Sequence, residues 1–297
     1  VEVSSTQTTT VSVNAVAFNG ATAAPGGLRL FTRVGSSGPF TQSALGGTVP
    51  SLTATLPVTP CGSTLEYYME VQAVDGTVVR SPAGTGVYSA LSANVVALLN
   101  DEFETANAGW QVNIDNTDTA TTGRWARGVP QATAQQPGSD HTAGAGTQCW
   151  VTDPVAGTNA GSFDIDNGKT SLYSETLDLS TNPTAVIGYW RWFSKTGGPT
   201  NTGDTFVVSV SNGGPYVQVE NVPYAQSTGG WFYNEFQVSN FVTPTSTVRV
   251  RFVAQDVSPG NVVEAALDDF GVRATNPCPP AGCFGDLNGD NSVNTAD

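Results

Sequence analysis

The sequence predicts an all-β protein. Only 12% of its 297 residues are charged, about half the usual share, so its polarity comes from Thr, Ser, Asn, Gln and Gly. The 33 glycines and 18 prolines stand against one methionine and two lysines, a composition that disfavours long helices. Short segments that alternate apolar and polar residues, separated by Gly and Pro turns, are typical of strands. A hydrophobic share of 39% allows a packed core, and the length favours two domains.

The first domain is predicted to cover residues 1–99. The run "VSVNAVAF" places Val11, Val13, Ala15 and Ala17 on one face, as in a half-buried strand. Further strands are predicted at Leu28–Val34, Leu52–Leu56, Thr64–Val74 and Thr77–Arg80. Turn signals recur about every 8 to 12 residues, which is typical of a β-sandwich. With its "EYYMEVQAVDG" run, the segment resembles a fibronectin type III or immunoglobulin-like module, and this resemblance implies a fold but no ligand.

The second domain is predicted to cover residues 100–275. In "TVRVRFVAQD" the alternation sends Val250 and Phe252 inward and Arg249 and Arg251 to solvent. The turn Asn212-Gly213-Gly214 predicts a hairpin between "FVVSV" and "PYVQVENV". The stretches "DEFETANAGW", "GRWARG", "DHTAGAGTQCWVTD", "KTSLYSETLDLS", "YWRWFS", "FVVSVSNGG", "TSTVRVRFVAQD" and "VVEAALDDFGV" resemble the jelly roll of MAM and cleaved-adhesin domains.

Composition also excludes several classes of function. A net charge of −14 and a pI near 4.2 argue against nucleic acid and anionic membranes as partners, and no apolar run is long enough to span a bilayer. With His141 as the single histidine, a His-based zinc site is not expected. The sequence has no G-x-S-x-G elbow, phosphate-binding loop or dinucleotide fingerprint. A glycosidase activity is not excluded by the sequence, because its two catalytic carboxylates could come from any two strands.

The "YWRWF" run contains the candidate ligand-binding residues. The pleat sends Tyr189 and Arg191 to one face and Trp190 and Trp192 to the other. Aromatic rings stack on the apolar faces of sugars, so the solvent-facing side predicts glycan binding. The alternative is that both tryptophans fill the core. His141, in "PGSDHTAG", is expected to be a polar loop residue.

The last twelve residues predict a calcium loop. Oxygen-bearing side chains occupy positions 1, 3, 5, 7, 9 and 12 of an EF-hand pattern, at Asp286, Asn288, Asp290, Ser292, Asn294 and Asp297. The pattern resembles a type I dockerin repeat, although Asn291 replaces the usual Gly and the sequence stops at Asp297 without an exit helix. The alternative is a solvated acidic tail. Residues 276–297 are therefore interpreted as a linker and a truncated dockerin-like loop.

A second set of acids predicts a structural calcium ion inside the jelly roll. The resemblance places the first and last strands side by side, which would bring together Asp101, Glu102, Glu104, Asp268 and Asp269. Asp164 and Asp166, spaced D-x-D, are a further candidate pair. Neighbouring carboxylates repel unless a cation lies between them, and oxygen ligands select calcium.

The four cysteines favour an exported, oxidising context. Cys278 and Cys283 bracket "PPAG", so a short-loop disulfide is predicted between them. Cys61 and Cys149 lie in different predicted domains and would pair only if the domains pack closely. Because the sequence opens at Val1 without a leader, we expect a processed product or part of a longer chain.

The layout resembles the C-terminal accessory region of secreted bacterial hydrolases, zinc carboxypeptidases among them. The resemblance implies non-catalytic, calcium-stabilised modules that attach to a glycan or another cell-surface component, with any catalytic domain outside this chain. The main alternative is the protomer of an extracellular filament or surface layer. In that case the Thr-rich opening "VEVSSTQTTTVSVNA" would add to the sheet edge of a neighbour. A third interpretation is the accessory half of a peptidase.

Overall fold

The computed structural model describes residues 2–15, 20–142, 144–157, 159–196, 203–257 and 260–278. The all-β prediction is confirmed, since these residues form nineteen strands and two short 3-10 helices. They divide into two compact units. Residues 2–96 and 275–278 belong to the first, and residues 97–274 to the second. No helix among the described residues has the length and hydropathy needed to cross a membrane.

The first unit is a small β-sandwich. Its strands are β1 Glu2–Ser4, β2 Thr9–Asn14, β3 Ala23–Val34, β4 Thr41–Ala44, β5 Gly46–Thr48, β6 Ser51–Leu56, β7 Thr64–Ala73, β8 Val78–Ser81 and β9 Tyr88–Asp101. One sheet contains β4, β3 and β7, with β8 and β9 both paired to β7. The other has the order β5–β6–β2. Alternating side chains of β6 and β7, among them Leu52, Leu56, Leu65 and Met69, form the core between the sheets.

The Thr-rich opening is paired within this unit. Strand β1 runs parallel to β9, and β2 is antiparallel to β6 from Thr9↔Leu56 to Asn14↔Ser51. The predicted strand "VSVNAVAF" therefore begins earlier, at Thr9, and its residues 16–18 lie outside the described residues.

The predicted disulfide between Cys278 and Cys283 is wrong, because Cys278 has a different partner. This residue is bonded to Cys61 of the first unit, with the two Cα atoms 5.6 Å apart. The prediction considered only local loop closure, whereas residues 275–278 belong to the first unit and bring Cys278 to Cys61. Cys149 is a buried free thiol, so the proposed pairing of Cys61 with Cys149 is also wrong. Cys283 lies outside the described residues.

The second unit is a sandwich of two five-stranded sheets. Its strands are β10 Gln111–Val112, β11 Trp125–Gly128, β12 Cys149–Thr152, β13 Gly168–Tyr173, β14 Val186–Thr196, β15 Thr205–Ser211, β16 Val217–Asn221, β17 Thr228–Gln237, β18 Arg249–Asp256 and β19 Val262–Asn276. The sheet β11–β12–β19–β14–β17 is named the tryptophan sheet. The sheet β10–β13–β18–β15–β16 is named the tyrosine sheet. All of these pairings are antiparallel, as in a jelly roll.

Aromatic and branched side chains from both sheets meet in one core, with Tyr189, Phe193, Phe206, Phe252 and Phe270 among the largest. In β18 every second residue is buried, which leaves Arg249 and Arg251 on the outer side, as the alternation predicts. The predicted hairpin joins β15 to β16, and Gly213 adopts a positive φ of 101° in its turn.

Candidate functional site

The "YWRWF" run lies on β14, and its two faces have different environments. Tyr189 and Arg191 point into the sandwich, where Arg191 is 1% exposed. Arg191 Nε donates to Glu220 Oε1 at 2.9 Å, and Tyr189 Oη donates to Glu220 Oε2 at 2.9 Å. Burial raises the pKa of Tyr189 well above its ordinary value. These two predicted ligand-binding residues form a buried polar network of the protein itself.

Trp190 and Trp192 point to the outer side of the tryptophan sheet, named the tryptophan face. Residues 133–142, named the covering segment, contact both of them. The His141 ring stacks on Trp190 with the ring centroids 3.7 Å apart, and Trp192 Nε1 donates to the Gln135 carbonyl at 2.7 Å. Both tryptophans are half-buried. They are neither part of the sandwich core nor exposed on an open binding surface, because the covering segment packs on them.

His141 and Thr142 attach the covering segment to two of the predicted calcium ligands. His141 Nδ1 lies 2.6 Å from Asp269 Oδ2, and Asp268 Oδ2 accepts from the His141 N–H at 2.7 Å. Burial raises the pKa of Asp268 to about 7. Burial also acts to raise the pKa of Asp269, but hydrogen bonds from His141 and Thr142 outweigh it and lower that pKa. His141 therefore lies in a loop, as predicted, and makes structural contacts there.

The remaining acids of that predicted set accept hydrogen bonds elsewhere. Asp101 Oδ2 accepts from Trp110 Nε1 at 3.0 Å, Glu102 Oε1 from Asn100 Nδ2 at 3.3 Å, and Glu104 Oε1 from the Thr147 and Gln148 N–H groups at 2.9 and 3.0 Å. Glu104 and Asp269 both lie near Asp140 and raise its pKa after burial does, so part of the predicted set lies in one region. Among the described residues, no three of these groups are arranged to hold a metal ion.

The Asp164 and Asp166 pair is also hydrogen-bonded. Asp164 Oδ2 accepts from the Val263 N–H at 3.1 Å, and Asp166 Oδ2 from Thr122 Oγ1 at 3.0 Å. Burial raises the pKa of Asp164 to about 6. Across the described ranges, no group of three His, Cys, Asp or Glu side chains has an arrangement that could hold a metal ion. The tail ligands Asp286, Asn288, Asp290, Ser292, Asn294 and Asp297 lie outside these ranges, so calcium binding stays a prediction.

The outer side of the tyrosine sheet has a different character and is named the tyrosine face. Its side chains are Lys169, Ser171 and Tyr173 on β13, Thr205, Val207 and Ser209 on β15, Arg249, Arg251, Val253 and Gln255 on β18, and Tyr216 just before β16. The register sets Arg251 directly between Tyr173 and Ser209, and Val253 between Ser171 and Val207. Small and aliphatic residues therefore form its floor.

Tyr173 is the most unusual residue of this face. It is only 3% exposed and lies outside the sandwich core cluster. Its hydroxyl is buried, and the Asp115, Ser171 and Arg251 side chains interact with it, although none has ideal hydrogen-bond geometry. Burial, then the nearby Asp115, raises the pKa of this hydroxyl. Tyr173 therefore belongs to a polar cluster with these three side chains.

Arg251 and Tyr216 extend the same region. The guanidinium carbon of Arg251 lies 4.3 Å from the centroid of the Tyr216 ring, and the Tyr216 and Tyr173 ring centroids are 6.0 Å apart. Arg251 Nε is buried and, among the described residues, has no hydrogen-bond partner. Sequence reasoning placed Arg251 toward water but did not single out these three residues, because the strand register was not predicted.

No protein-family model matches this sequence, and no curated protein matches it. Similar solved structures include carbohydrate-binding modules from the β-sandwich superfamily, at 12% identity and a TM-score of 0.37, covering 91% of this chain and 93% of that one. A cyclase from Fischerella sp. TAU has 13% identity and a TM-score of 0.38, covering 62% and 99%. The mannan-recognising module TmCBM27 has 8% identity and a TM-score of 0.33, covering 61% and 99%. Similarity at this level does not assign a function to this chain.

Proposed function

We propose that the second unit is a non-catalytic glycan-binding module whose ligand lies on the tyrosine face. The observation that carries the proposal is the Tyr216 ring on the outer side of a sheet, 4.3 Å from the partly exposed Arg251 guanidinium. A ring beside a guanidinium can stack on the apolar face of a sugar while the guanidinium donates to its hydroxyl groups.

The neighbouring residues support the same class of ligand. Sugars present apolar ring faces together with hydroxyl edges. The tyrosine face offers the Tyr216 ring and the aliphatic Val207 and Val253 beside the polar Arg251 and Gln255. A few polar groups set among apolar and aromatic surface are typical of ligand sites.

We also propose an extracellular location. The Cys61–Cys278 disulfide supports it, because disulfides persist in oxidising compartments. The filament alternative has less support, since β1 and β2 of the Thr-rich opening pair with strands of their own unit.

Affinity electrophoresis through gels that contain soluble polysaccharides, followed by calorimetry, tests the glycan proposal. We expect Tyr216→Ala to weaken binding about tenfold through the loss of stacking. The matched control is Tyr224→Ala: Tyr224 is 71% exposed and its ring faces Lys195, away from this face. Retardation by none of the polysaccharides, or equal binding by Tyr216→Ala and the unmodified protein, would overturn the proposal.

A further inference from the structure

Positive charge is scarce in this protein, which has 11 Lys and Arg residues against 25 Asp and Glu. Eight of the 11 belong to the second unit, and five of these eight are engaged away from the tyrosine face. Arg191 pairs with Glu220 and Arg273 with Glu235, whereas Arg124, Arg127 and Lys195 donate to backbone carbonyls.

The other three, Lys169, Arg249 and Arg251, all lie on the tyrosine face. Among the described residues, neither Lys169 nor Arg249 has a carboxylate oxygen within 4 Å of its charged nitrogens. Arg249 donates one hydrogen bond, from Nη2 to Thr176 Oγ1 at 2.9 Å. Both side chains therefore keep charge that is not neutralised by a direct ion pair.

Arg251 also keeps hydrogen-bonding capacity. Its nearest carboxylate oxygen is Asp115 Oδ2, at 3.9 Å from Nη1, which is beyond hydrogen-bond length. The side chains of Arg251 and Asp115 are both partly exposed, so their attraction is weakened by solvent. The second acid at this face, Asp118, already accepts hydrogen bonds from Ser171. The tyrosine face therefore carries three basic side chains and two acids, although the protein has a net charge of −14.

From this charge distribution we infer that the ligand of the tyrosine face is an acidic polysaccharide, bound through its carboxylates by Arg251, Lys169 and Arg249. The inference rests on the glycan-binding function proposed above. A planar guanidinium matches a carboxylate with two parallel hydrogen bonds, which selects such ligands over neutral ones.

The spacing of these residues favours a polymer. The register pairs Arg251 with Tyr173 and Lys169 with Gln255, so the two charges are four residues apart along the strands, or roughly 13 Å. A ligand that contacts both must be an extended chain rather than a single sugar. The acidic remainder of the protein repels a polyanion, which confines its binding to this face.

Matched polysaccharide pairs test the inference. Polygalacturonate, alginate and hyaluronate are each compared with their carboxyl-reduced, neutral derivatives by calorimetry, with xylan and mannan as further neutral probes. We expect at least one acidic polymer to bind about tenfold or more tightly than its reduced derivative, with affinity that falls as salt rises. Equal binding of both members of a pair, or binding of neutral polymers alone, would overturn the inference and leave the glycan-binding function standing. Binding of no polymer would overturn both.

Variants that remove one positive charge test which residues recognise the acidic polymer. Arg251→Gln and Lys169→Gln should each reduce the preference for the acidic polymer and its salt dependence. Arg273→Gln is the matched control, because Arg273 lies on the tryptophan sheet and pairs with Glu235. A preference that survives Arg251→Gln combined with Lys169→Gln, or that disappears in Arg273→Gln, would place the recognition elsewhere and contradict the inference.

Discussion

The two outer faces of the second unit differ in what lies on them. On the tryptophan face, the covering segment stacks His141 on Trp190 and accepts a hydrogen bond from Trp192. On the tyrosine face, Lys169, Val207 and Arg251 stay partly exposed, whereas Tyr173 is buried beside Asp115. The face with more tryptophan is therefore the one that the chain occupies itself. Aromatic content alone is a poor guide to a ligand site.

The charges of the two faces differ as well. The tryptophan face carries the buried acids Glu264 and Asp268, which accept hydrogen bonds from Thr152 and His141. The tyrosine face carries three basic residues that make few contacts. The face with buried acids repels an acidic ligand, whereas the face with basic residues can attract one.

The largest expected change in the free energy of unfolding comes from Glu264, on the tryptophan face. It is buried on the tryptophan face beside Ser194, and burial raises its pKa to about 8. The folded state therefore favours the protonated form. Stability from this group is full below the ordinary pKa of Glu and is lost as the pH rises through about 8. A pKa that differs by one between the folded and unfolded states corresponds to roughly 1.4 kcal/mol, so the loss is on the order of 5 kcal/mol.

We expect Glu264→Gln, which mimics the protonated form, to match the unmodified protein at pH 5 and to be more stable at pH 8.5. Urea unfolding at both pH values measures this. Glu235→Gln, at an exposed carboxylate, is the control. If the two proteins lose stability equally between pH 5 and 8.5, Glu264 is not the titrating group.

A smaller change in the free energy of unfolding is expected when one aromatic ring is removed from either face. Trp190→Ala removes the surface on which His141 stacks, so we expect a loss of about 2–3 kcal/mol in the free energy of unfolding. Tyr216→Ala should cost less than about 1 kcal/mol, since its partners are partly exposed side chains. Denaturant unfolding of the two variants, beside the ligand titration, separates stability from binding. Similar losses of unfolding free energy in the two variants would mean that the ring on each face contributes equally to stability.

The smallest expected effect is that of calcium on the second unit. Its predicted ligands Asp268 and Asp269 accept hydrogen bonds from the covering segment, so we expect chelation to leave the melting of this unit nearly unchanged. Any calcium bound should be lost in Asp286→Ala and retained in Asp268→Asn, as terbium luminescence can show. A chelator-sensitive melting temperature that Asp268→Asn abolishes would instead restore the internal site.

The sequence was sufficient for features that depend on local pattern. The alternation of β18 and the Gly213 turn predict which side of the strand carries Arg251 and where the hairpin forms. Contacts between distant segments could not be predicted, because loop paths and strand register have no local signature. His141 and Asp269 are 128 residues apart, yet they form the contact that attaches the covering segment.

The cysteines illustrate the same limit. Four intervening residues made Cys278 and Cys283 a reasonable local pair, but the last strand ends at Asn276 and residues 275–278 join the first unit. The partner of Cys278 is 217 residues away. Only the three-dimensional path of the chain identifies it.

The Cys61–Cys278 bond also has a mechanical consequence. It closes a covalent ring that contains all of the second unit, residues 97–274. A pulling force applied to residues before Cys61 and after Cys278 passes through the sulfur bridge and leaves this unit unloaded. A single protease cut within the ring would likewise open one peptide bond without releasing a fragment. Under such tension the second unit would therefore stay folded.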